Sequence, residues 1–186
     1  NLLSKIPKNK KILYSAGCSC QQFSYSHNEA TDLCFHELTT NIHSLSFREK
    51  LDQFSLNTQY IDPALLLNRE DYEAIEEKPQ GNIPKKFDFL YLVKHTDTEF
   101  IRILTFFLKN RKSKYPLITN RDDLTLGPKQ ILWCIHHCKS LYTNSFHGLA
   151  FSIIFNKKTL LYNPTDFRMK NIFSFLNIKY ENGKIT

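Results

Sequence analysis

Apolar residues recur along this chain with two different periods, and the switch between them marks out its elements. Short, nearly continuous apolar runs predict strands at 10–16, 44–47, 58–62, 87–93, 115–119, 140–143 and 159–162. Between them the apolar spacing lengthens to that of a helix. Helices are predicted at 28–41, from Arg48 to about Leu56, at 97–110, from Pro128 onward, at 148–155 and at 166–176. In 97–110 the apolar stripe is Phe100, Ile101, Leu104, Phe107 and Leu108. The helix after Gly127 opens with Pro128, a residue suited to a first helical position. It carries Ile131, Leu132, Ile135 and Cys138.

From residue 87 onward the order reads β-α-β-α-β-α-β-α, which predicts a mostly parallel sheet with helices on both faces. Residues 71–86 are polar and contain Pro79, Gly81 and Pro84, a pattern of a helix running into a linker. The boundaries that follow are 1–68 for the end of a first domain, 69–86 for the linker and 87–186 for a second domain.

Composition narrows the class. Of 186 residues, 41% are hydrophobic and 23% charged, with fifteen Phe and nine Tyr, which is globular and provides a large aromatic core. Lys and Arg number 25 against 18 Asp and Glu, for a net charge of +7. That excess suits an anionic substrate or an anionic membrane surface. The basic residues are spread out and accompany no nucleic-acid motif, so nucleic acid is not expected as a partner. No run nears the ~20 apolar residues that cross a bilayer, and no signal peptide is visible, so the expected location is cytoplasmic. The five cysteines show no regular spacing and read as free thiols. The chain opens at Asn1 and its one methionine is Met169, so a truncated N-terminal domain is expected.

The informative chemistry lies in 141–155, Leu-Tyr-Thr-Asn-Ser-Phe-His-Gly-Leu-Ala-Phe-Ser-Ile-Ile-Phe. It reads as a strand, a tight polar turn and an apolar helix. Ligands of open α/β sheets bind at the carboxyl ends of strands, and this turn delivers Asn144, Ser145 and His147 to that edge. The helix start offers free N–H groups and the positive end of a dipole, an anion site, and Gly148 permits close backbone approach. The same pattern also suits a turn in which Ser145 only caps the helix and His147 only packs.

Three motifs in order carry a resemblance. Leu126-Gly-Pro128 leads to Thr143-Asn-Ser-Phe-His-Gly148 and its apolar helix. Ser46-Phe-Arg-Glu49 lies upstream, followed by Ile61-Asp-Pro-Ala-Leu-Leu-Leu67. Together they resemble the polysaccharide pyruvyl transferase family. Ser15-Ala-Gly17 and residues 168–178 match more weakly. The resemblance implies two Rossmann-like domains in a GT-B-type arrangement. It implies transfer of a pyruvyl group from phosphoenolpyruvate to a sugar, forming a ketal, with His147 and Arg48 as the donor-site residues. Arg48 can grip a phosphate or carboxylate bidentately. The turn at Asn144, Ser145 and Gly148 holds the other anionic group. His147, as an imidazole, either protonates the enol carbon or stabilises the departing phosphate. The acceptor implied is a sugar or lipid-linked saccharide of a cell-surface polysaccharide, reached by peripheral association with the inner face of the cytoplasmic membrane. A sugar-nucleotide-dependent glycosyltransferase and an inactive fragment or binding module stand as alternatives.

Other candidates read as structural. Glu49 suits a helix N-terminus, and Asp62 before Pro63 serves as well in a turn as in a site. Asp122-Asp123 reads as a solvated loop. Cys134-Ile-His-His-Cys138 puts two thiols one turn apart with His137 between them. No Cys-x-x-Cys pair elsewhere completes four zinc ligands, and cysteines on a helix facing a sheet behave as small hydrophobes. Cys18 and Cys20 with His36 read the same way. No metal and no cofactor are expected.

Overall fold

A computed structural model describes residues 5–16, 40–47, 62–121, 126–163, 167–181 and 184–185. The chain divides into two compact units, Asn1–Pro63 and Ala64–Thr186. In the first, β1 (Ile12–Ala16) and β2 (Ser44–Phe47) pair in parallel, Ile12 opposite Ser44. Apart from residues 40 and 41, the expected helices at 28–41 and 48–56 lie outside the described residues, as does most of the strand expected at 58–62.

The second unit is an α/β layer structure. Its strands are β3 (Asp88–Tyr91), β4 (Leu117–Thr119), β5 (Ser140–Thr143), β6 (Lys158–Leu161), β7 (Tyr180–Glu181) and β8 (Lys184–Ile185). They form one sheet in the order β4-β3-β5-β6-β8-β7. The first four are parallel. The last two add an antiparallel hairpin to β6, an edge absent from the expected parallel sheet. Each of its strands is two residues long, too short for a two-residue alternation to stand out in sequence. The signal passed over is Asn182-Gly183, a dipeptide typical of tight hairpin connections.

The helices are α1 (Arg69–Glu73), α2 (Asp97–Asn110), α3 (Pro128–His137), α4 (Phe146–Ile154) and α5 (Phe167–Phe175). Their starts follow from local chemistry. Asn68 caps α1 reciprocally with Asp71, and Thr96 caps α2 reciprocally with Glu99. Gly127 and Pro128 start α3, and Ser145 caps α4.

Strand residues alternate between two cores. Phe87, Phe89 and Leu141 face a cluster with Leu132, Ile135 and Phe155 from α3 and the end of α4. Leu90, Leu92, Tyr142 and Leu160 face Ile103 and Phe107 of α2. The central strands are thus buried on both faces, as a parallel sheet requires. A fully buried Phe or Leu contributes about 1.5–3 kcal/mol. The buried stripe of α2 is narrower than its apolar residues suggest. Ile103 and Phe107 are buried, with Phe100 and Leu104 packed beside them. Ile101 and Leu108 are 65% and 50% exposed, because they fall about a quarter-turn off the face that meets the sheet.

The polar segment after residue 68 is built into this unit. Tyr72 and Ile83 belong to the core, and the Tyr72 hydroxyl donates to the Ala64 carbonyl at 2.8 Å. At the amino edge of the sheet, Asp88 is fully buried and accepts from Arg111 Nη2 at 3.1 Å. Tyr142 donates to the same carboxylate oxygen at 3.4 Å. Asp88 Oδ1 and Arg111 Nε have no further partner among the described residues. Such a pair adds little net stability, yet removing one member strands a buried charge. Arg111→Ala is expected to cost on the order of 3 kcal/mol in a urea melt. The double variant Arg111→Ala/Asp88→Ala should lose less than the sum of the single losses.

Candidate active site at the carboxyl ends of β3 and β5

Strands β3 and β5 are parallel neighbours, with Tyr91 opposite Thr143 at their last pair. Thr143 is fully buried, and its hydroxyl has two tasks. It donates to the Tyr91 carbonyl at 2.6 Å and accepts from Ser145 N at 3.0 Å. One side chain thereby ties the strand ends together and turns the chain toward α4.

Asn144 extends the join. Its Oδ1 accepts from Val93 N at 2.9 Å, and its Nδ2 donates to the Val93 carbonyl at 2.9 Å. Asn120, just past β4, does the same to Leu92, at 3.0 and 2.9 Å. Two asparagine amides from the flanking strands thus hold consecutive residues beyond β3. The chain then bends at Lys94, which adopts a left-handed φ of 50°.

Ser145 is the N-cap of α4, its Oγ accepting from Gly148 N at 3.2 Å. The helix therefore begins at Phe146, earlier than the expected residue 148, and His147 and Gly148 lie in its first turn. A side-chain hydrogen bond also links Ser145 to Tyr91. Burial raises the Tyr91 phenol above its ordinary range, and the bond from Ser145 partly offsets that rise. The backbone N–H groups of Phe146 and His147 have no acceptor among the described residues. They leave the positive end of α4 open.

Gly148 is buried against the strand ends. A Cβ there would lie 2.6 Å from Thr143 Oγ1 and 3.1 Å from Tyr91 Cδ1. The close approach that this glycine permits is therefore of helix to sheet.

Of the residues singled out from sequence, Asn144, Ser145, His147 and Gly148 come together on one turn. Three of them are occupied in building it. His147 is the exposed one; its ring meets the edge of Phe146 at 5.2 Å between centroids. Arg48 and Glu49 lie outside the described residues, as do Asp122 and Asp123. Asp62 is buried.

Sequence reasoning passed over three members of this region. Thr143 and Tyr91 end their strands at the edge where ligands bind, a positional signal available in principle. Arg168, in the first turn of α5, holds its guanidinium 4.9 Å from the centre of the Phe146 ring. This adds a cation beside the start of α4. An open cleft of about 860 Å³ lies at the opposite, amino edge of the sheet, lined in part by Arg111, Lys139, Lys157 and Lys158. Burial lowers the Lys157 ammonium below its ordinary range. No helix of the described residues is long and apolar enough to cross a membrane.

A family model described as Polysaccharide pyruvyl transferase matches residues 2–166. The match spans both units and includes the turn from Thr143 to Gly148. No curated protein and no solved structure matches the chain.

Two substitutions test the construction of this edge. Gly148→Ala should lose about 1–3 kcal/mol, since neither Thr143 nor the strand can retreat. Asn144→Ala removes two hydrogen bonds and should cost about 2 kcal/mol. Both are read as shifts in denaturant midpoint.

Proposed function

Because the chain belongs to the polysaccharide pyruvyl transferase family, a family of transferase enzymes, we propose that phosphoenolpyruvate is its donor and that His147 is the catalytic group. The observation that carries this is the position of His147. It is the exposed imidazole on the open first turn of a helix, at the carboxyl edge of a parallel sheet. An exposed imidazole at that point can reach a bound substrate and pass a proton to or from it.

Phosphoenolpyruvate brings a phosphate and a carboxylate. The free N–H groups at Phe146 and His147 receive one of them. Arg48 grips the other bidentately. Arg168 adds positive charge beside the same turn. One sugar hydroxyl bonds to C2 of the donor while His147 delivers a proton to C3. The proton of that hydroxyl returns to the imidazole; inorganic phosphate then leaves with the C2–O electron pair as a second hydroxyl bonds to C2, and the proton of the second hydroxyl goes to the departing phosphate. The products are a cyclic pyruvate ketal and phosphate, with every proton accounted for.

The same reading takes a sugar of a polysaccharide, or its lipid-linked precursor, as acceptor, handled in the cytoplasm at the membrane's inner face. It also takes the two compact units as parts of two Rossmann-like domains of the GT-B class.

His147→Ala is expected to lower pyruvyl transfer about 10²–10⁴-fold, with stability changed by less than about 0.5 kcal/mol, since the side chain is exposed. Unchanged turnover in that variant would remove the histidine from the mechanism. Arg48→Ala should raise the KM for the donor more than it lowers kcat. In a thermal-shift assay phosphoenolpyruvate should raise the melting temperature. Stabilisation by a nucleotide sugar in its place would reassign the donor.

A further inference from the structure

At the C-terminal end of α3, two histidines and a glutamate converge. His136 and His137 close α3, and Glu76 follows α1. His136 Nδ1 lies 3.1 and 3.0 Å from Glu76 Oε1 and Oε2. His137 Nδ1 lies 3.8 Å from Glu76 Oε1. One donor atom from each of the three falls within 4.8 Å of the other two. From this geometry we infer that Glu76, His136 and His137 form a binding site for a divalent transition ion of the zinc class.

The separations suit that ion. Ligand atoms about 2.0–2.1 Å from a tetrahedral zinc stand about 3.3 Å apart, and the nitrogen–carboxylate distances here bracket that edge. Imidazole and carboxylate together suit zinc and its first-row neighbours over magnesium or calcium. Three protein ligands leave a fourth position. The side chains of Glu76 and His136 are 11% and 14% exposed, whereas His137 is 40% exposed, so that position faces solvent on the His137 side.

The rings are already oriented. His136 stacks on Phe155 at 4.7 Å, and His137 stacks on Trp133 at 4.3 Å. A second carboxylate stands behind the first ligand: Glu73 Oε1 is 3.3 Å from His136 Nε2. A carboxylate on the far nitrogen of a ligating imidazole fixes its tautomer and raises its basicity. Arg69 also faces Nε2, at 2.9 Å, and bonds Glu73 at 2.6 Å. That bond to Arg69 holds the Glu73 carboxyl below its ordinary range. Coordination at His136 Nδ1 shifts the ring proton to Nε2, which then donates to Glu73, and Arg69 keeps only its bond to Glu73. His137 Nδ1 faces the Trp133 carbonyl at 3.0 Å. Coordination there takes the nitrogen's lone pair and moves that proton to Nε2.

The neighbouring thiols are not the ligands. Cys134 and Cys138 are buried, and the ligand atoms that converge are those of Glu76, His136 and His137. The partner of the two histidines lies sixty positions upstream, on a segment whose polarity reads as a linker. An ion at this point would fasten that segment to α3.

The chain's single tryptophan, Trp133, stacks on a proposed ligand and provides a direct readout. Untagged protein, freed of metal by a chelator, is titrated with Co²⁺ while Trp133 emission is followed. Zn²⁺ is then titrated against a chromophoric chelator. The expected result is one equivalent of bound ion, quenching by Co²⁺ and recovery of emission when Zn²⁺ displaces it. Glu76→Gln and His137→Gln should each weaken binding by more than the ~10–100-fold typical of losing an outer partner, and Glu73→Gln by about that amount. Lys129→Ala, on the same helix, should leave affinity unchanged. His137 is partly exposed, so His137→Gln is expected to fold, and circular dichroism checks it. Failure to bind at 100 µM Zn²⁺, or binding that is the same in Glu76→Gln and His137→Gln as in the unmodified chain, would overturn the inference.

Discussion

The carboxyl edge of the sheet depends on how closely α4 lies against β3 and β5. Residue 148 has space for a hydrogen and nothing larger, with Thr143 Oγ1 2.6 Å from where a Cβ would stand. Around that point the Ser145 hydroxyl accepts from the Gly148 N–H, and the Thr143 hydroxyl donates to the Tyr91 carbonyl and accepts from Ser145 N. Thr143 thus joins the two strands, starts the turn and bounds the space that the helix enters. Buried polar groups without partners cost ~1–3 kcal/mol each, so the helix and the strand ends stand or fall as one unit.

This constraint divides the labour among the residues of Thr143-Asn-Ser-Phe-His-Gly148. Thr143 ties strand to strand, Asn144 holds Val93, Ser145 caps the helix and Gly148 admits it. Each polar function in that group is already committed to protein. His147 differs, with its side chain exposed. Among the described residues, a motif rich in hydrogen-bonding groups thus leaves one exposed side chain and two backbone N–H groups for whatever arrives. The rest of the motif fixes where those groups point. Rigid support of this kind is what a site needs if a reacting atom is to meet a proton donor in one geometry.

Much of this was legible in the sequence. The strands from β3 to β6 and helices α2 to α5 follow from apolar spacing and from start signals such as Gly127-Pro128 and Ser145. What escaped has physical reasons. The hairpin of β7 and β8 offers only two residues per strand, so no periodicity could show. Ile101 and Leu108 are apolar by type yet exposed, because composition cannot tell which part of a wide stripe meets the sheet. The two bonds that the Asn144 amide makes to Val93 could not be foreseen, since a side-chain amide in sequence carries no sign of whether backbone will claim it. The pairing of Glu76 with His136 crosses sixty positions, and local spacing carries no such information.

The two edges of the sheet also differ in how they handle charge. At the amino edge, Arg111 reaches in from just past α2 to meet Asp88, a carboxylate wholly removed from water. The pair closes that end around a fixed internal charge. At the carboxyl edge among the described residues no carboxylate opposes the start of α4, and Arg168 adds a cation beside it. An arriving anion there meets the N–H groups at the start of α4, with a guanidinium close by. Low local dielectric strengthens each of these attractions. The amino edge also has basic residues around its cleft, but they stand above a carboxylate already paired. Positive charge alone therefore does not distinguish the edges. Backbone donors without an acceptor among the described residues do, and they lie where His147 lies.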